Sequence, residues 1–237
     1  MDNLIAVIPA AGAGKRLGLG INKAFAKINS VPLLVHCLTM LSRTKLITRA
    51  IVVLAPDEVE EGYQLLASYK EKHFADLPFV VVAGGKERQD SVANALAAIT
   101  ESEGYVAVHD GARPFAGKEV FARTLEAAKK HGAAIAAVPV KDTIKVVNEA
   151  GEVTATPVRS TLHAVQTPQI FEVNLLKKAY ANLAQHPAQV TDDASVVELL
   201  GHKVVVASGR YENIKITTPE DLLFAENLLA QQEKTNG

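Results

Sequence analysis

Short apolar runs alternate with segments of helical periodicity along most of the chain, and this alternation restricts the fold more than any other feature. The apolar runs predict strands at 4–8, 50–54, 79–83, 105–108, 133–140 and 203–207. The remaining apolar spacing predicts helices at 32–41, 57–69, 91–99, 118–131, 175–185, 195–200 and 220–232. Continuously apolar strands separated by helices are typical of a mostly parallel sheet covered on both faces. We therefore predict an α/β fold of the Rossmann-like, doubly wound type.

The alternation stops after Val140. Residues 141–163 are polar, with β-branched residues on both sides of Gly151, which predicts a β-hairpin or arm that leaves the sheet. Its apolar side chains would be poorly covered in a single copy, so the arm could pack on a second chain. The alternative is a long loop folded back on its own domain. We expect one domain over residues 1–237, with this arm at about 141–163.

The composition excludes several classes of protein. With 25 basic and 26 acidic residues, the net charge of −1 argues against a protein that coats nucleic acid. No apolar run has the length of a membrane helix and the first residues lack a secretory pattern, so we expect a cytoplasmic protein without a membrane partner. The single cysteine, Cys37, excludes an internal disulfide and a multi-cysteine metal site, and it suits a reducing compartment.

Charge is unevenly distributed along the chain. Residues 1–56 hold seven basic side chains and one acidic side chain, a net charge of +6, whereas the remainder carries −7. A basic segment within a nearly neutral chain indicates a local anionic ligand. The alternative is a set of scattered, solvated side chains.

The glycine-rich stretch 9–18 lies in this basic segment, directly after the first strand. Its small residues let backbone amides approach an anion closely. Its spacing matches neither the P-loop nor the dinucleotide-binding fingerprint, which disfavours a nicotinamide-binding fold. Lys15, Arg16 and Lys23 supply the positive charge that two phosphate groups need in order to approach each other. An ordinary tight turn remains the alternative.

Three chemically distinctive stretches, 9–18, 84–91 and 109–114, each follow a predicted strand. Because ligands bind at the carboxyl ends of parallel strands, we expect these stretches to meet at one edge of the sheet. Asp110 would suit Mg²⁺ or another divalent cation there. The alternatives for Asp110 are a turn cap or a pair with Arg113. We expect His109 to be a packed or hydrogen-bonded histidine, because no other histidine lies at zinc-ligand spacing from it.

A series of motifs stands in order along nearly the whole chain, from about residue 4 to residue 226. The motifs are Pro9-Ala10-Ala11-Gly12-x-Gly14-x-Arg16, Lys23, Gly84-Gly85-x-Glu87-Arg88-x-x-Ser91, His109-Asp110-Gly111-Ala112-Arg113-Pro114, Asp142-Thr143, Arg159, Gln166-Thr167-Pro168-Gln169, Thr191-Asp192-Asp193-Ala194-Ser195 and Asn213-Ile214-Lys215. Together they closely resemble the 2-C-methyl-D-erythritol 4-phosphate cytidylyltransferase family of the non-mevalonate isoprenoid pathway. The resemblance implies a nucleotidyltransferase-like fold and a homodimer with exchanged β-arms. It also implies that a phosphate oxygen of methylerythritol phosphate attacks the α-phosphate of CTP and releases pyrophosphate, with a divalent metal as cofactor.

The resemblance implies a role for each matching residue. Arg16 and Lys23 would neutralise charge on the transferring group, Lys215 would hold the α-phosphate or the incoming phosphate, and Arg159 would bind methylerythritol phosphate from the partner's arm. Asp110 would ligate the metal. The nucleotide-binding residues would be Pro9, Ala10, Ala11, Gly12, Gly14, Gly85, Ser91 and Asp110. The acceptor-binding residues would be Ala112, Arg113, Asp142, Thr143, Arg159, Thr167, Thr191 and Lys215.

Several of these residues also have a purely structural interpretation. Thr191 would suit a helix N-cap, Ser91 a helix start, Lys215 a solvated side chain and Arg159 a stabiliser of the arm. Lys86 stands where the family often has an acidic residue near the base, and Leu162-His163 replaces the more usual Leu-Trp. Two other functions remain open. One is a cytidylyltransferase for another polyol phosphate, such as ribitol 5-phosphate, and the other is a nucleotide-binding regulator without turnover.

Overall fold

A seven-stranded sheet forms the centre of the molecule. The computed structural model describes residues 3–12 and 22–236, with side chains through residue 231. In chain order the strands are β1 (Leu4–Pro9), β2 (Lys27–Ile28), β3 (Val31–Pro32), β4 (Arg49–Leu54), β5 (Phe79–Ala83), β6 (Tyr105–Val108), β7 (Ala133–Pro139), β8 (Val146–Val147), β9 (Val153–Ala155), β10 (His163–Glu172) and β11 (Val205–Ser208). The large sheet has the order β11-β7-β10-β6-β1-β4-β5. Its β1–β4, β1–β6, β4–β5 and β7–β11 pairs are parallel, which confirms the predicted mostly parallel sheet.

Helices cover both faces of this sheet. They are α1 (Leu33–Thr44), α2 (Val59–His73), α3 (Arg88–Ala97), α4 (Gly117–His131), α5 (Val173–Gln185), α6 (Asp193–Glu198) and α7 (Pro219–Asn236). On β1, Leu4, Ala6 and Ile8 belong to a buried cluster that includes α1 and α4, whereas Ile5 and Val7 belong to a second cluster that includes α3 and α5. Successive strand residues face opposite sides, so a strand buried on both faces is apolar throughout. The doubly wound prediction is confirmed.

The main departure from the predicted fold is β10, a strand that the sequence pattern does not predict. It pairs antiparallel with both β6 and β7, with an irregular register between Val165 and Gln169. Its central side chains Gln166, Thr167 and Gln169 are polar and buried. A buried strand is normally predicted from its apolar side chains. In β10 the buried side chains are polar and are satisfied by hydrogen bonds to distant segments, so the pattern is missing.

The predicted hairpin is present after β7. Strands β8 and β9 pair antiparallel in a small sheet of their own. Val146, Val147 and Val153 on this hairpin are all exposed. Among the residues with described coordinates, no helix combines the length and the apolarity needed to cross a membrane.

Candidate active site

An open crevice of about 240 Å³ lies at the carboxyl ends of β1, β5 and β6. Four basic and two acidic side chains line it, so its charge suits an anionic ligand. The lining residues are Pro9, Ala10, Ala11, Gly12, Lys23, Lys86, Glu87, Arg88, Ser91, Asp110 and Lys215. The predicted convergence of three stretches is therefore confirmed for their described parts. Gly14 and Arg16 lie outside the described residues.

Small residues bring the loops after β1 and β5 together. A Cβ atom at Gly84 would lie 2.8 Å from Ser91 Oγ and 2.9 Å from Ala11 Cβ, so a larger residue would push the two loops apart. The Ser91 hydroxyl accepts from the Gly85 N–H at 3.1 Å and donates to the Glu87 carbonyl at 3.2 Å. Helix α3 starts at Arg88, before Ser91, so the interpretation of Ser91 as the helix start is wrong.

Lys23 reaches the crevice from a short 3₁₀ turn over Lys23–Phe25. Asn22 fixes this turn, because its Oδ1 accepts from the Ala24 N–H at 3.0 Å and its Nδ2 donates to the Ala10 carbonyl at 2.8 Å. The second contact ties the turn to the loop after β1. Lys23 is thus held beside the small residues that line the crevice.

The carboxylate of Asp110 is the negative centre of the crevice. Lys215 Nζ lies 2.9 Å and Arg113 Nε 3.3 Å from its Oδ2. Burial opposes ionisation of Asp110, but the positive charges of Lys215, Arg88 and Arg113 outweigh it and hold the Asp110 pKa well below its usual range. Asp110 therefore lines the crevice and also pairs with Arg113. Because Lys215 pairs with Asp110, the interpretation of Lys215 as a merely solvated side chain is wrong.

A buried chain of hydrogen bonds fixes the backbone at Asp110. The Asp110 N–H donates to Thr167 Oγ1 at 3.0 Å, and the same hydroxyl lies 3.0 Å from His109 Nδ1. His109 Nε2 lies 2.9 Å from the Arg113 carbonyl, which can only accept, so Nε2 carries the hydrogen and Nδ1 accepts from Thr167. Burial lowers the pKa of His109 to about 4 and keeps the ring neutral. His109 is thus a packed, hydrogen-bonded histidine, as predicted.

Lys215 is held beside Asp110 by its neighbours in the chain. The Ile216 N–H donates to the Ala112 carbonyl at 2.9 Å. Asn213 Nδ2 donates to the Thr167 carbonyl at 2.8 Å, and the Asn213 carbonyl accepts from Arg113 Nη1 at 2.7 Å. Ala112, Arg113 and Thr167, which the sequence predicts to bind substrate, therefore support the site, and they are not among the described residues that line the crevice.

Arg88 lines the crevice, although its place in the sequence predicts no role for it. Its Nη2 pairs with Asp193 Oδ2 at 2.6 Å, and Tyr180 Oη donates to Asp193 Oδ1 at 2.6 Å. Burial, and then the charge of Asp193, raise the pKa of Tyr180 far above its usual range, so the hydroxyl remains a donor. The glycine motif that contains Arg88 was the available sequence signal. Its pairing with Asp193 comes from the tertiary structure alone.

Three predicted acceptor-binding residues lie on or near the arm, away from the crevice of their own chain. Asp142, Thr143 and Arg159 are exposed. Arg159 Nη1 donates to the Lys141 carbonyl at 3.1 Å, which is the arm contact that its structural interpretation anticipates.

Thr191 also lies outside the lining of the crevice and is exposed. The N-cap of α6 is Asp192, whose Oδ1 accepts from the Ser195 N–H at 2.9 Å. The interpretation of Thr191 as the N-cap is therefore wrong. Its hydroxyl lies 3.5 Å from Ser195 Oγ.

The donor set at Asp110 fits a magnesium ion that is shared with phosphate groups. The described residues contain no cluster of three or more carboxylate, histidine or cysteine ligands. A single carboxylate is nevertheless sufficient for Mg²⁺ when phosphate oxygens and water complete the shell. Lys215 Nζ and Arg113 Nε both contact the same carboxylate oxygen of Asp110, Oδ2.

The fold and the cation-lined crevice define an α/β protein of the nucleotidyltransferase class. Residues 4–231 match the family model for IspD, 2-C-methyl-D-erythritol 4-phosphate cytidylyltransferase. The chain belongs to this family, which confirms the resemblance predicted from the motifs and identifies the chain as a nucleotidyltransferase.

Individual relatives agree with this assignment. The 2-C-methyl-D-erythritol 4-phosphate cytidylyltransferase of Bacillus thuringiensis (strain Al Hakam) is 49% identical over 96% of this chain and 98% of its own length. That of Alkaliphilus metalliredigens is 45% identical over 96% of this chain and 93% of its own. The crystal structure of the 4-diphosphocytidyl-2C-methyl-D-erythritol synthase from Anaerococcus prevotii superposes with a TM-score of 0.82 at 34% identity, covering 97% of this chain and 99% of that one. The Thermus thermophilus cytidylyltransferase superposes with a TM-score of 0.77 at 33% identity, covering 96% and 98%.

Proposed function

We propose that this chain transfers the cytidylyl group of CTP to 2-C-methyl-D-erythritol 4-phosphate, giving 4-diphosphocytidyl-2-C-methyl-D-erythritol and pyrophosphate in isoprenoid precursor biosynthesis. The bond between the α- and β-phosphates of CTP breaks, and a bond forms between the α-phosphorus and a phosphate oxygen of the acceptor. One observation carries the proposal: in a chain of this family, Lys23 and Lys215 line one crevice with Asp110, although they come from distant parts of the chain.

Positive charge is the main chemical requirement of this reaction. Two like charges 4 Å apart repel by about 4 kcal/mol in a partly solvated site. Lys23, Arg88 and Lys215 line the crevice and would offset that repulsion, and Arg16 would add to them from the glycine-rich loop. The acceptor oxygen is already anionic, so positioning and charge stabilisation supply most of what the transfer needs.

Asp110 would hold a divalent cation, preferably Mg²⁺, in this crevice. Such an ion, when bound, neutralises phosphate charge and favours departure of pyrophosphate. The low pKa of Asp110 supports this role, because the carboxylate is ionised and ready to ligate throughout the neutral range.

The nucleotide would lie along the small residues of the crevice. Pro9, Ala10, Ala11, Gly12 and Ser91 line the crevice and would hold it. The family resemblance adds Gly14 and Gly85 to this set. The Ser91 hydroxyl already bonds to two backbone groups, so selection of the cytosine base would depend largely on the backbone of this loop. Lys86 lines the same part of the crevice.

The acceptor site would be completed by the arm of a second copy in a homodimer. Exposure of Ile144, Val146, Val147, Val153 and Val158 supports this arrangement, since a partner arm would cover these apolar side chains. Asp142, Thr143 and Arg159, exposed in their own chain, would then reach the partner's crevice, where Thr191 would meet the acceptor. In this proposal Arg159 contacts the acceptor only when its arm packs against the second copy.

The proposed reaction would take place in the cytoplasm. The free, buried Cys37 thiol is consistent with a reducing compartment.

Pyrophosphate release from each of the four nucleoside triphosphates tests the proposed function. The acceptors are methylerythritol phosphate, ribitol 5-phosphate and glycerol 3-phosphate, each with Mg²⁺ or with EDTA. We expect release from CTP with methylerythritol phosphate, and its loss in EDTA. Faster release with ribitol 5-phosphate would favour the alternative polyol substrate, and CTP binding without release for any acceptor would favour a regulator.

A further inference from the structure

A second pocket, of about 180 Å³, shares no lining residue with the crevice. It lies between α1, the start of α4, the segment after β11, and α7. The lining residues are His36, Thr39, Met40, Arg43, Thr44, Pro114, Phe115, Gly117, Lys118, Arg210 and Leu229. Four separate parts of the chain thus converge on a cavity that the proposed reaction does not use.

Three side chains make this pocket basic: Arg43, Lys118 and Arg210. Its described lining contains no carboxylate. Neither Arg43 nor Lys118 has an ion-pair partner within the described part of the chain. Arg210 Nε lies 3.5 Å from Glu212 Oε2 in an exposed pair, which contributes little and can exchange for a ligand.

The backbone adds positive character at one end of the pocket, the start of α4, whereas the last turn of α1 at Arg43 and Thr44 opposes it. Helix α4 begins in the pocket at Gly117, and its N-cap Ala116 makes no side-chain cap. No capping side chain therefore accepts a hydrogen bond from the N–H groups of the first turn. The start of a helix also carries partial positive charge. Glu119 in the same turn offsets part of it, because its Oε2 lies 3.4 Å from where a Cβ of Gly117 would stand, although Glu119 is not among the lining residues.

The rest of the lining is apolar. Met40, Pro114, Phe115 and Leu229 supply hydrocarbon surface, and Phe115 is almost fully buried. A cationic rim over an apolar floor matches an anion that carries a hydrocarbon group. We propose that this pocket binds a small phosphate or diphosphate ester of an apolar alcohol.

The pocket is connected to the segments that hold Asp110. Gln166 Nε2 donates to the Arg210 carbonyl at 2.7 Å, and the next residue, Thr167, accepts from the Asp110 N–H. Pro114 directly follows Arg113, which pairs with Asp110. A ligand in the pocket contacts Arg210 and Pro114 directly, so we expect its occupancy to change turnover without displacing CTP.

Isothermal titration calorimetry with 3-methylbutyl diphosphate tests the pocket. The test variant is Arg43→Ala/Lys118→Ala, and Lys130→Ala/Lys178→Ala is a control that removes the same charge from exposed positions outside the pocket. We expect affinity to fall about tenfold or more in the test variant and to stay unchanged in the control. Binding should persist with saturating CTP and in Lys215→Met, and inorganic pyrophosphate should bind more weakly at this site.

Several results would overturn the proposal. One is loss of all binding of 3-methylbutyl diphosphate in the presence of CTP. Another is equal binding of this ester by the two double variants. A third is equal affinity of the second site for pyrophosphate and for the ester. Turnover that is unchanged at saturating ester would overturn the coupling to the active site. Thermal unfolding checks that the double variants fold, and Arg43→Gln alone replaces the test variant if it does not. The binding results are measured without turnover and are independent of the proposed function, whereas the coupling to the active site rests on it.

Discussion

Lys215 Nζ lies 2.9 Å from Asp110 Oδ2, and the two side chains are 36% and 11% exposed. Lys215 is partly accessible to solvent, and hydrogen bonds of Thr167 and Asn213 hold the backbone of the two segments. Each member of the pair can therefore change partner when ligands enter. A divalent cation at Asp110 would replace the positive charge that Lys215 supplies. Lys215 would then be free to contact a phosphate group, so the pair prepares both residues for the reaction.

Replacement of Lys215 should impair catalysis much more than folding. We expect Lys215→Met to lower kcat/KM by about 10²- to 10³-fold, because it removes a charge that stabilises the transferring group. Steady-state pyrophosphate release measures the effect, and Lys203→Met, at an exposed lysine outside the crevice, is the matched control. Equal activity of the two variants would contradict the role of Lys215.

Removal of the Thr167 hydroxyl should destabilise the site. Thr167→Val deletes one acceptor for the Asp110 N–H and one donor to His109, both buried, so we expect the free energy of unfolding to fall by about 2–3 kcal/mol and turnover to fall with it. Thr167→Ser keeps the hydroxyl and should restore most of both. Urea denaturation and pyrophosphate release measure the two effects. A Thr167→Val variant that is as stable and as active as wild type would contradict the role of the hydroxyl.

A methyl group at Gly12 should separate ligand binding from folding. Among the described residues, a Cβ atom there would meet nothing within 4 Å, and Gly12 lines the crevice. We expect Gly12→Ala to keep the wild-type melting temperature but to raise the KM for CTP about tenfold, since the methyl group would occupy space that the ligand needs. Gly84→Ala is the contrasting variant, because its Cβ would overlap Ser91 and Ala11 and should lower stability. A wild-type KM in Gly12→Ala would place CTP elsewhere.

The buried His109 should make stability fall as the pH is lowered. Its pKa is about 4 in the folded chain against 6.5 when unperturbed, so below about pH 6.5 the unfolded chain takes up a proton that the folded chain does not. The free energy of unfolding should therefore drop by about 2 kcal/mol from pH 7 to pH 5 on account of this residue. Asp110, whose pKa is lowered, adds a loss only nearer its unperturbed pKa of 3.8.

Variants isolate the contribution of His109 to this pH dependence. Urea unfolding at both pH values should show a shallower dependence for His109→Gln than for wild type, even though that variant is less stable at pH 7. Exposed His186 provides the control, and His186→Gln should keep the wild-type slope. Identical slopes for the two variants would remove His109 as the cause.

Mixed dimers test whether the arm works in trans. Arg159→Ala and Lys215→Met are each expected to lack activity as homodimers, since Arg159 would serve the partner's crevice and Lys215 its own. Co-refolding the two variants at equal concentration should restore about a quarter of wild-type activity, because half of the dimers then hold one intact site. A mixture that stays inactive would mean that both residues serve the same chain.

The layered fold, and the edge of the sheet at which the site lies, follow from local sequence pattern. Runs such as 4–8 and 50–54 are apolar throughout because both faces of their strands are buried. The stretches that follow β1, β5 and β6 were therefore predictable as neighbours, and the motifs placed Lys23, Ser91, Asp110 and Lys215 among the site residues. These inferences depend on local pattern and on the fixed direction of parallel strands.

Which side chains pair depends on the folded chain and could not be predicted. Strand β10 was hidden because its buried side chains Gln166, Thr167 and Gln169 are satisfied by hydrogen bonds to distant segments, and a local pattern carries no record of such partners. For the same reason the Arg88–Asp193 pair was not predictable, and neither was the support of Asp110 by Thr167. Hydrogen-bond partners are chosen by distance in the folded chain, and that distance is set by packing and not by separation along the sequence.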